Sequence, residues 1–332
     1  LALGRERIDA YLAAEPKLGQ YRMFFDDILR AAPHTLTPAE EKIYARMAVL
    51  GEAGSTLQSV FRSADLPFPE VTFSTGEKVR LDASAYSKWR ASPNKADRDL
   101  AFKAFWTAYD QFTRTFATTL NAHVQAHVTS KDVRNFPTSL DAALFDYNIP
   151  GNVYSRLLDD VHANLPTLHR YLKLRQKIMG VEQLGYEDLY APIVQQVDLQ
   201  YTPEQGMQMT LDSFAPLGAE YVETLRKGYA DRWVDFMPNT GKSPGAYSNT
   251  VYGVHPYQLL NFNGAWDDVS TLAHESGHSM HSFLSSAKQP YATASYSTFV
   301  AEVASTLNEN LLLHHVLDQT KDDRTRLFLL SS

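Results

Sequence analysis

Apolar side chains recur at three- and four-residue spacing through much of this chain, and that spacing is typical of helices that bury one face. The clearest run lies within residues 100–120. Its apolar side chains predict one face of a long helix: Phe102, Phe105, Trp106, Tyr109, Phe112, Phe116 and Leu120. The repetition of this pattern along the chain predicts a mainly helical fold.

Helix boundaries are marked by short polar signals. Residues 37–40 (TPAE) and 202–205 (TPEQ) each combine a capping threonine, a first-turn proline and a capping-box partner, so each predicts a helix start. Pro150-Gly151 and Pro166 predict breaks between further helices.

Signals for β-strands are few. Residues 71–81 alternate apolar and polar side chains around the turn sequence at 74–77, which predicts a hairpin. Residues 246–262 are rich in aromatic and branched side chains without helical spacing, and predict one or two strands bent near Gly253 and Pro256. The expected fold class is therefore mainly α (α+β). We place a boundary at the hairpin, between an N-terminal helical region (1–70) and the remainder (71–332).

Composition excludes several classes of protein. The chain has 332 residues, enough for one large or two smaller domains, and a formal charge of −7, which argues against nucleic-acid binding. It has no bilayer-length apolar run, which argues against a membrane partner, and no cysteine, so thiolate metal sites are excluded. We expect a cytoplasmic protein. Because the chain begins without methionine and stops within an apolar helical pattern, we also expect part of a longer protein, in which a removed signal peptide would be invisible.

Residues 270–283 (STLAHESGHSMHSF) hold three of the eleven histidines in a pattern that otherwise predicts a buried helix, with Asp267 or Asp268 as its cap. On such a helix His274 and His278 lie one turn apart, about 6 Å along the axis, so both imidazoles can reach one ion. Glu275 follows His274 directly. This H-E-x-x-H pattern is typical of zinc hydrolases, in which the glutamate deprotonates water. We favour that interpretation over core histidines.

A catalytic zinc needs a third protein ligand. His281 lies about 10 Å beyond His274 along the axis and is too far. Glu302, near the start of the helical pattern at 297–317, is the candidate, because its apolar neighbours predict a buried carboxylate that needs a partner. The alternative is a capped or salt-bridged glutamate. Glu309 either orients a ligand imidazole or is an ordinary solvated acid.

A second histidine pair has the same spacing. His123 and His127 (HVQAH) lack the adjacent glutamate, so we interpret them as surface or interhelix histidines.

Several segments resemble a known family. They are GKSPGAYS (241–248), GVHPYQLLNF (253–262), DDVSTLAHESGHSMHSF (267–283) and FVAEVASTLNENLL (299–312). Together they resemble the oligoendopeptidase F group of the thimet-oligopeptidase family of zinc peptidases. N-terminal and middle segments are similar to that family too, so the resemblance spans nearly the whole chain.

The resemblance implies a zincin-like fold with a small β-sheet beside the active-site helix and a deep channel that admits short unfolded peptides. It implies that His274, His278 and Glu302 bind one Zn²⁺ per chain and that Glu275 is the general base. It places residues 253–262 near the substrate cleft, where their strand edge can pair with a peptide. His255 and Tyr257 are substrate-binding candidates, although packing is the commoner role of aromatic strand residues.

Family members continue past this point, and their C-terminal part supplies a histidine and tyrosines that stabilise the tetrahedral intermediate. Here the last tyrosine is Tyr296, so we expect the catalytic domain at 71–332 to be incomplete at its C-terminus. The expected function is a zinc-dependent endopeptidase acting on short, unstructured oligopeptides. A helical metallocarboxypeptidase, a silent peptide-binding relative and a structural protein remain alternatives, and the oligomeric state stays open.

Overall fold

The computed structural model describes residues 3–194, 197, 199–239, 242 and 245–331. Its α-helices are α1 (Gly4–Ala14), α2 (Arg22–Ala31), α3 (Pro38–Gly51), α4 (Ala53–Val60), α5 (Ala83–Trp89), α6 (Lys95–Asp110), α7 (Thr113–Val133), α8 (Ser139–Phe145), α9 (Gly151–Met179), α10 (Pro203–Ser213), α11 (Ala219–Ala230), α12 (Trp266–Lys288), α13 (Thr298–Gln319) and α14 (Asp323–Ser331). Its strands are β1 (Glu70–Thr72), β2 (Lys78–Arg80), β3 (Val234–Asp235), β4 (Tyr247–Asn249) and β5 (Tyr257–Leu259). The predicted mainly helical fold is confirmed.

The chain groups into two compact units. One unit contains residues 1–29 together with 194–332, and the other contains residues 30–193. The hairpin lies inside the second unit, so this spatial grouping differs from the division predicted at residues 70 and 71. That division stays a prediction about the N-terminal region.

Both predicted capping boxes are present. The hydroxyl of Thr37 accepts from the N–H of Glu40, whose carboxylate in turn accepts from the N–H of Thr37. Thr202 and Gln205 form the same reciprocal pair at the start of α10. The break predicted at Pro166 is wrong, because that proline lies inside the 29-residue helix α9.

The single helix predicted across residues 100–120 is also wrong, because the chain bends after Asp110 and begins a new helix at Thr113. The Thr113 hydroxyl donates to the carbonyl of Asp110 at 2.7 Å, a local bond that competes with the helical ladder. At the bend, Phe112 packs edge-on against Phe61 with ring centroids 4.9 Å apart. Tertiary packing of an aromatic ring therefore overrides the continuous apolar spacing.

The unit of residues 30–193 is stabilised by an aromatic cluster around the hairpin. The predicted hairpin is confirmed, with Val71 paired opposite Val79. Phe73 stacks on Trp89 with centroids 3.6 Å apart, and Tyr86 stacks on Phe105 at 4.2 Å. A buried ion pair, in which Arg98 donates to Asp188 at 2.8 Å, lies in the same unit.

The other unit is organised around α12. The buried apolar residues of its core come from α10, α11, the sheet region, α12, α13 and α14: Leu211, Phe214, Leu225, Trp233, Phe262, Trp266, Val269, Ala273, Met280, Leu312, Leu317 and Leu329. The sheet order is β3-β5-β4, with β3 parallel and β4 antiparallel to β5. The strands predicted within residues 246–262 are confirmed as β4 and β5. Gly253 adopts a φ of 79° in the bend between them, a conformation that favours glycine.

Candidate metal centre

Helix α12 carries the H-E-x-x-H residues, and a carboxylate three residues into the helix fixes its start. Asp268 accepts from the N–H groups of Asn263 and Ala265, each at 2.9 Å, so two otherwise unpaired donors are satisfied. The N-cap residue is Ala265, which corrects the expectation that Asp267 or Asp268 occupies that position. Most of the central turns of α12 are buried, as the apolar spacing predicts.

His274 and His278 converge on one point. Their Nε2 atoms lie 3.1 Å apart, and their rings meet edge to face with centroids 4.7 Å apart. Burial lowers the pKa of His278, and repulsion from His274 lowers it further. Both effects favour the neutral imidazole, which is the form that binds a metal.

Glu302 of α13 completes the cluster. Its Oε2 atom lies 3.5 Å from Nε2 of His274 and 3.6 Å from Nε2 of His278. One ligand atom from each of the three residues lies within 4.8 Å of the others, and this is the only such cluster of three or more in the described part of the chain. The Ser305 hydroxyl donates to the same Oε2 atom at 2.8 Å and so fixes the carboxylate.

Glu302 is not buried, contrary to the prediction from its apolar neighbours. Its side chain is 50% exposed. Val303, beside it on α13, is exposed as well. The candidate residue is the expected one, but its proximity to the two imidazoles, and not burial, makes it a possible ligand.

Gly277 sets the distance between α12 and α13. A Cβ atom at this position would lie 2.7 Å from the carbonyl oxygen of Ala304 and 2.8 Å from the Cα of Ser305. Only a residue without a side chain allows this approach of the two backbones. The glycine inside H-E-S-G-H therefore brings the turn that carries Glu302 next to the histidines, a function that the sequence analysis did not identify.

Glu309 lies two turns further along α13 and forms a hydrogen bond with Nδ1 of His274. A carboxylate at Nδ1 fixes the ring orientation and the tautomer, and leaves the lone pair of Nε2 for a metal. Of the two roles left open for Glu309, this contact favours orientation of a ligand imidazole.

Glu275 lies on the buried side of the same turn. Its side chain accepts a hydrogen bond from the backbone N–H of Ser248, and its Oε2 atom has no hydrogen-bond partner among the described residues. Burial raises the pKa of Glu275; the nearby Glu302 and Glu309 carboxylates raise it further, whereas His274 and the Ser248 N–H act in the opposite direction. A carboxylate with a raised pKa is a better proton acceptor near neutral pH.

A buried polar layer joins α12 to the small sheet, and the sequence analysis missed it. The Gln258 amide of β5 donates to Ser279 at 2.9 Å, and the hydroxyls of Ser248 and Ser279 lie 2.8 Å apart. Ser276 is bonded to the buried Tyr229 hydroxyl at 2.8 Å. Serines on the buried face of an apolar helix were the available signal, because buried hydroxyls need partners.

The outer edge of β4 adjoins this centre. The N–H of Gln258 donates to the carbonyl of Trp233, on the β3 side of β5. Ser248 is the register partner of Gln258, so its own N–H faces away from β5, toward Glu275. The edge expected to pair with a peptide was assigned to residues 253–262, and that assignment is wrong. β5 is hydrogen-bonded on both sides, and β4 carries the edge beside the centre.

Of the two substrate-binding candidates, Tyr257 begins β5 and His255 precedes that strand by two residues. The His255 ring is parallel to Trp233 with centroids 5.7 Å apart, and it contacts Tyr257 at 4.3 Å. Tyr257 is half exposed and lines a cavity of about 310 Å³ with Trp233 and Tyr247. These contacts describe packing, so the substrate-binding role of both residues stays a prediction. Residues 241, 243 and 244 of the segment GKSPGAYS lie outside the described residues.

Comparison with known proteins gives one consistent result. Residues 89–332 match the sequence model of Peptidase family M3, and residues 1–68 match that of Oligopeptidase F. Oligopeptidase PepF of Bacillus subtilis (strain 168) is 35% identical over 332 residues, which are 100% of this chain and 49% of the relative. An oligoendopeptidase F homolog of Lactococcus lactis subsp. lactis is 35% identical over 331 residues, 100% of this chain and 55% of the relative.

Solved structures agree with these matches. A protein of Chlamydophila abortus superposes with a TM-score of 0.88 at 36% identity, over 99% of this chain and 55% of the other. Oligoendopeptidase-F from Enterococcus faecium superposes with a TM-score of 0.72 at 32% identity, over 99% and 52%. The chain spans about half the length of the relatives it matches.

No helix in the described part of the chain has the length and apolar character needed to cross a bilayer. The fold, the relatives and the two sequence models agree along nearly the whole chain. The chain belongs to peptidase family M3.

Proposed function

We propose that this chain carries the metal centre of a zinc-dependent peptidase that hydrolyses internal bonds of short, unstructured peptides. The observation that supports the proposal is the convergence of His274, His278 and Glu302, with Glu275 beside them on the same helical turn.

The donor set fits zinc. Two imidazoles and one carboxylate from the protein form the ligand set of many catalytic zinc sites, which keep a further position for water or substrate. The orienting contact of Glu309 at Nδ1 of His274 is the outer-sphere arrangement that such sites use. When bound, zinc supplies a Lewis acid that polarises a carbonyl group and makes water acidic near neutral pH.

Glu275 has the position of a general base. One carboxylate oxygen is buried without a partner among the described residues, and the Ser248 N–H holds the carboxylate from the side of the sheet. In the proposed mechanism Glu275 accepts a proton from the attacking water and passes it to the leaving amine. Because burial raises the pKa of Glu275, its carboxylate is a stronger base than that of a solvent-exposed glutamate.

The substrate class follows from the β4 edge and from the relatives. The outer edge of β4 lies beside Glu275, and an edge strand binds an extended peptide through main-chain hydrogen bonds. The similar proteins from Lactococcus and Enterococcus are named oligoendopeptidases, which favours internal cleavage over carboxypeptidase trimming. The cytoplasmic location and the absence of nucleic-acid and membrane partners stay predictions.

The test compares the zinc-loaded whole protein with its Glu275→Gln and Glu275→Asp variants. The substrate is a quenched fluorescent peptide blocked at both ends, which a carboxypeptidase does not cleave. We expect cleavage at an internal bond by the wild type, a loss of at least about 100-fold in Glu275→Gln, and one zinc per chain in all three. Cleavage by Glu275→Gln at the wild-type rate would refute Glu275 as the base, and trimming only of unblocked peptides would favour the carboxypeptidase.

A further inference from the structure

The second histidine pair, His123 and His127 of α7, has almost the same geometry as the pair in the metal centre. The Nε2 atoms of His123 and His127 lie 3.1 Å apart, as do those of His274 and His278. The ring centroids of the α7 pair are 4.5 Å apart at an interplanar angle of 76°, against 4.7 Å and 83° on α12. From this convergence we infer that His123 and His127 form a second binding site, for a divalent first-row transition metal.

The remaining nitrogen of His123 is held from a neighbouring helix. The Ser55 hydroxyl on α4 lies 3.0 Å from Nδ1 of His123. When this hydroxyl accepts from Nδ1–H, the tautomer leaves the Nε2 lone pair free for an ion. Glu309 has the same relation to His274: in both rings Nδ1 is hydrogen-bonded to a neighbouring helix, and Nε2 is left to bind an ion.

Close packing of α4 on α7 fixes this arrangement. Gly54 is buried, and a Cβ atom there would lie 2.9 Å from the carbonyl oxygen of Thr119 and 3.4 Å from the backbone nitrogen of His123. The glycine therefore lets α4 approach α7 at the level of His123 and brings Ser55 within hydrogen-bond distance. A glycine next to the histidine helix has the same role here as Gly277 has between α12 and α13.

The site is open to ions. Both histidines are exposed, and they line a cavity of about 520 Å³ with Met47, Leu50 and Glu52. The Glu52 carboxylate adds negative charge on the cavity wall, but it lies outside any three-residue ligand cluster in the described residues. The protein therefore offers two ligands, and water supplies the others.

This donor set selects the class of metal. Paired imidazoles suit Cu²⁺, Ni²⁺ and Zn²⁺ and disfavour Mg²⁺ and Ca²⁺, which take oxygen ligands. The general order of divalent affinities makes Cu²⁺ the tightest of the three. With two protein ligands, the α7 site is expected to bind the same metal more weakly than the three-ligand centre.

The inference is tested by equilibrium dialysis of the full chain against Cu²⁺. His127→Gln is compared with its parent in two backgrounds, the wild type and Glu302→Ala, so the result does not depend on the centre on α12. We expect His127→Gln to lose one equivalent of copper in both backgrounds. His162→Gln, which replaces an exposed histidine of α9 without a histidine one turn away, is the matched control and is expected to lose none.

Two further measurements make the outcome decisive. The electron paramagnetic resonance spectrum is recorded on the copper-loaded His274→Ala/His278→Ala variant, which lacks the imidazole pair of α12. It is expected to show two nitrogen ligands from the α7 pair, and this signal is expected to be lost when His127→Gln is added. Ser55→Ala is expected to weaken binding by up to about 10-fold without abolishing it. Equal copper content in His127→Gln and its parent, with helical content and thermal unfolding unchanged, overturns the inference, because the 3.1 Å contact is then only a hydrogen bond between imidazoles.

Discussion

Replacing Gly277 with alanine tests whether close helix packing builds the metal centre. The added methyl group would lie 2.7 Å from the Ala304 carbonyl oxygen, whereas ordinary van der Waals contact of such an atom begins at 3.4 Å. Both clashing groups are backbone, so no side chain can rotate away. The α13 backbone therefore has to move by roughly 0.7 Å. Glu302 lies on the same helix, just before Ala304, so it is expected to move with that backbone.

The expected changes in stability and in metal binding differ in size. Alanine gains about 1 kcal/mol of helix propensity over glycine, and the overpacked contact costs about 1–3 kcal/mol. The free energy of unfolding is therefore expected to fall by no more than about 2 kcal/mol. Metal ligands need placement within about 0.5 Å, so the displacement of Glu302 is expected to weaken zinc binding by at least about 10-fold.

Zinc affinity is measured by competition with a chromophoric chelator, and stability by urea unfolding of the zinc-free protein. Gly206→Ala in α10 is the matched control, because its Cβ would meet side-chain atoms of Phe262 at 3.4 Å and Leu272 at 3.5 Å. That variant is expected to keep wild-type affinity. Wild-type zinc affinity in Gly277→Ala would refute the argument that close packing positions Glu302.

Three further predictions concern single side chains. Glu309→Gln removes the carboxylate at Nδ1 of His274 and is expected to lower zinc affinity about 10- to 100-fold in the chelator assay; unchanged affinity would mean that Glu309 is a solvated acid. Burial raises the pKa of Asp188, but Arg98, the Gly185 N–H and Lys95 outweigh it, so the folded-state pKa is lowered. The stability that this carboxylate adds is present above its ordinary pKa of about 4 and is lost as pH falls through the lowered value. Asp188→Asn is expected to lower the free energy of unfolding by about 3–5 kcal/mol at pH 7. It is also expected to make that free energy fall less steeply as the pH is lowered, and an unchanged dependence on pH would contradict this. Leu312→Ala, at a fully buried core position, is expected to cost about 2–5 kcal/mol in urea unfolding, and a loss below about 1 kcal/mol would show that the core repacks around the gap.

Local patterns in the sequence predicted much of the structure because they depend on neighbours along the chain. The capping boxes at Thr37 and Thr202, the hairpin that pairs Val71 with Val79 and the helix that carries His274 all follow from spacing and turn chemistry. The break at Asp110 could not be predicted in this way. It depends on Phe61, which is distant in sequence and packs against Phe112.

The site shows the same division between local and long-range information. His274, Glu275 and His278 lie on one helix, so their spacing alone predicted that the two imidazoles meet and that Glu275 lies beside them. The exposure of Glu302 and the two helix backbones in contact at Gly277 depend on how α13 packs on α12. The aromatic and branched side chains of residues 246–262 indicated strand, but the order β3-β5-β4, which makes β4 the edge, is a long-range property.

The metal content of the purified chain tests the central claim most directly. Zinc is offered, the excess is removed by exchange, and the metal is counted in wild type, Glu302→Ala and the control Glu220→Ala, which replaces an exposed acid of α11. The proposed centre predicts one tightly held zinc per chain in the wild type and the control, and much less in Glu302→Ala. Equal zinc in all three proteins, or none in any of them, would contradict a centre formed by His274, His278 and Glu302.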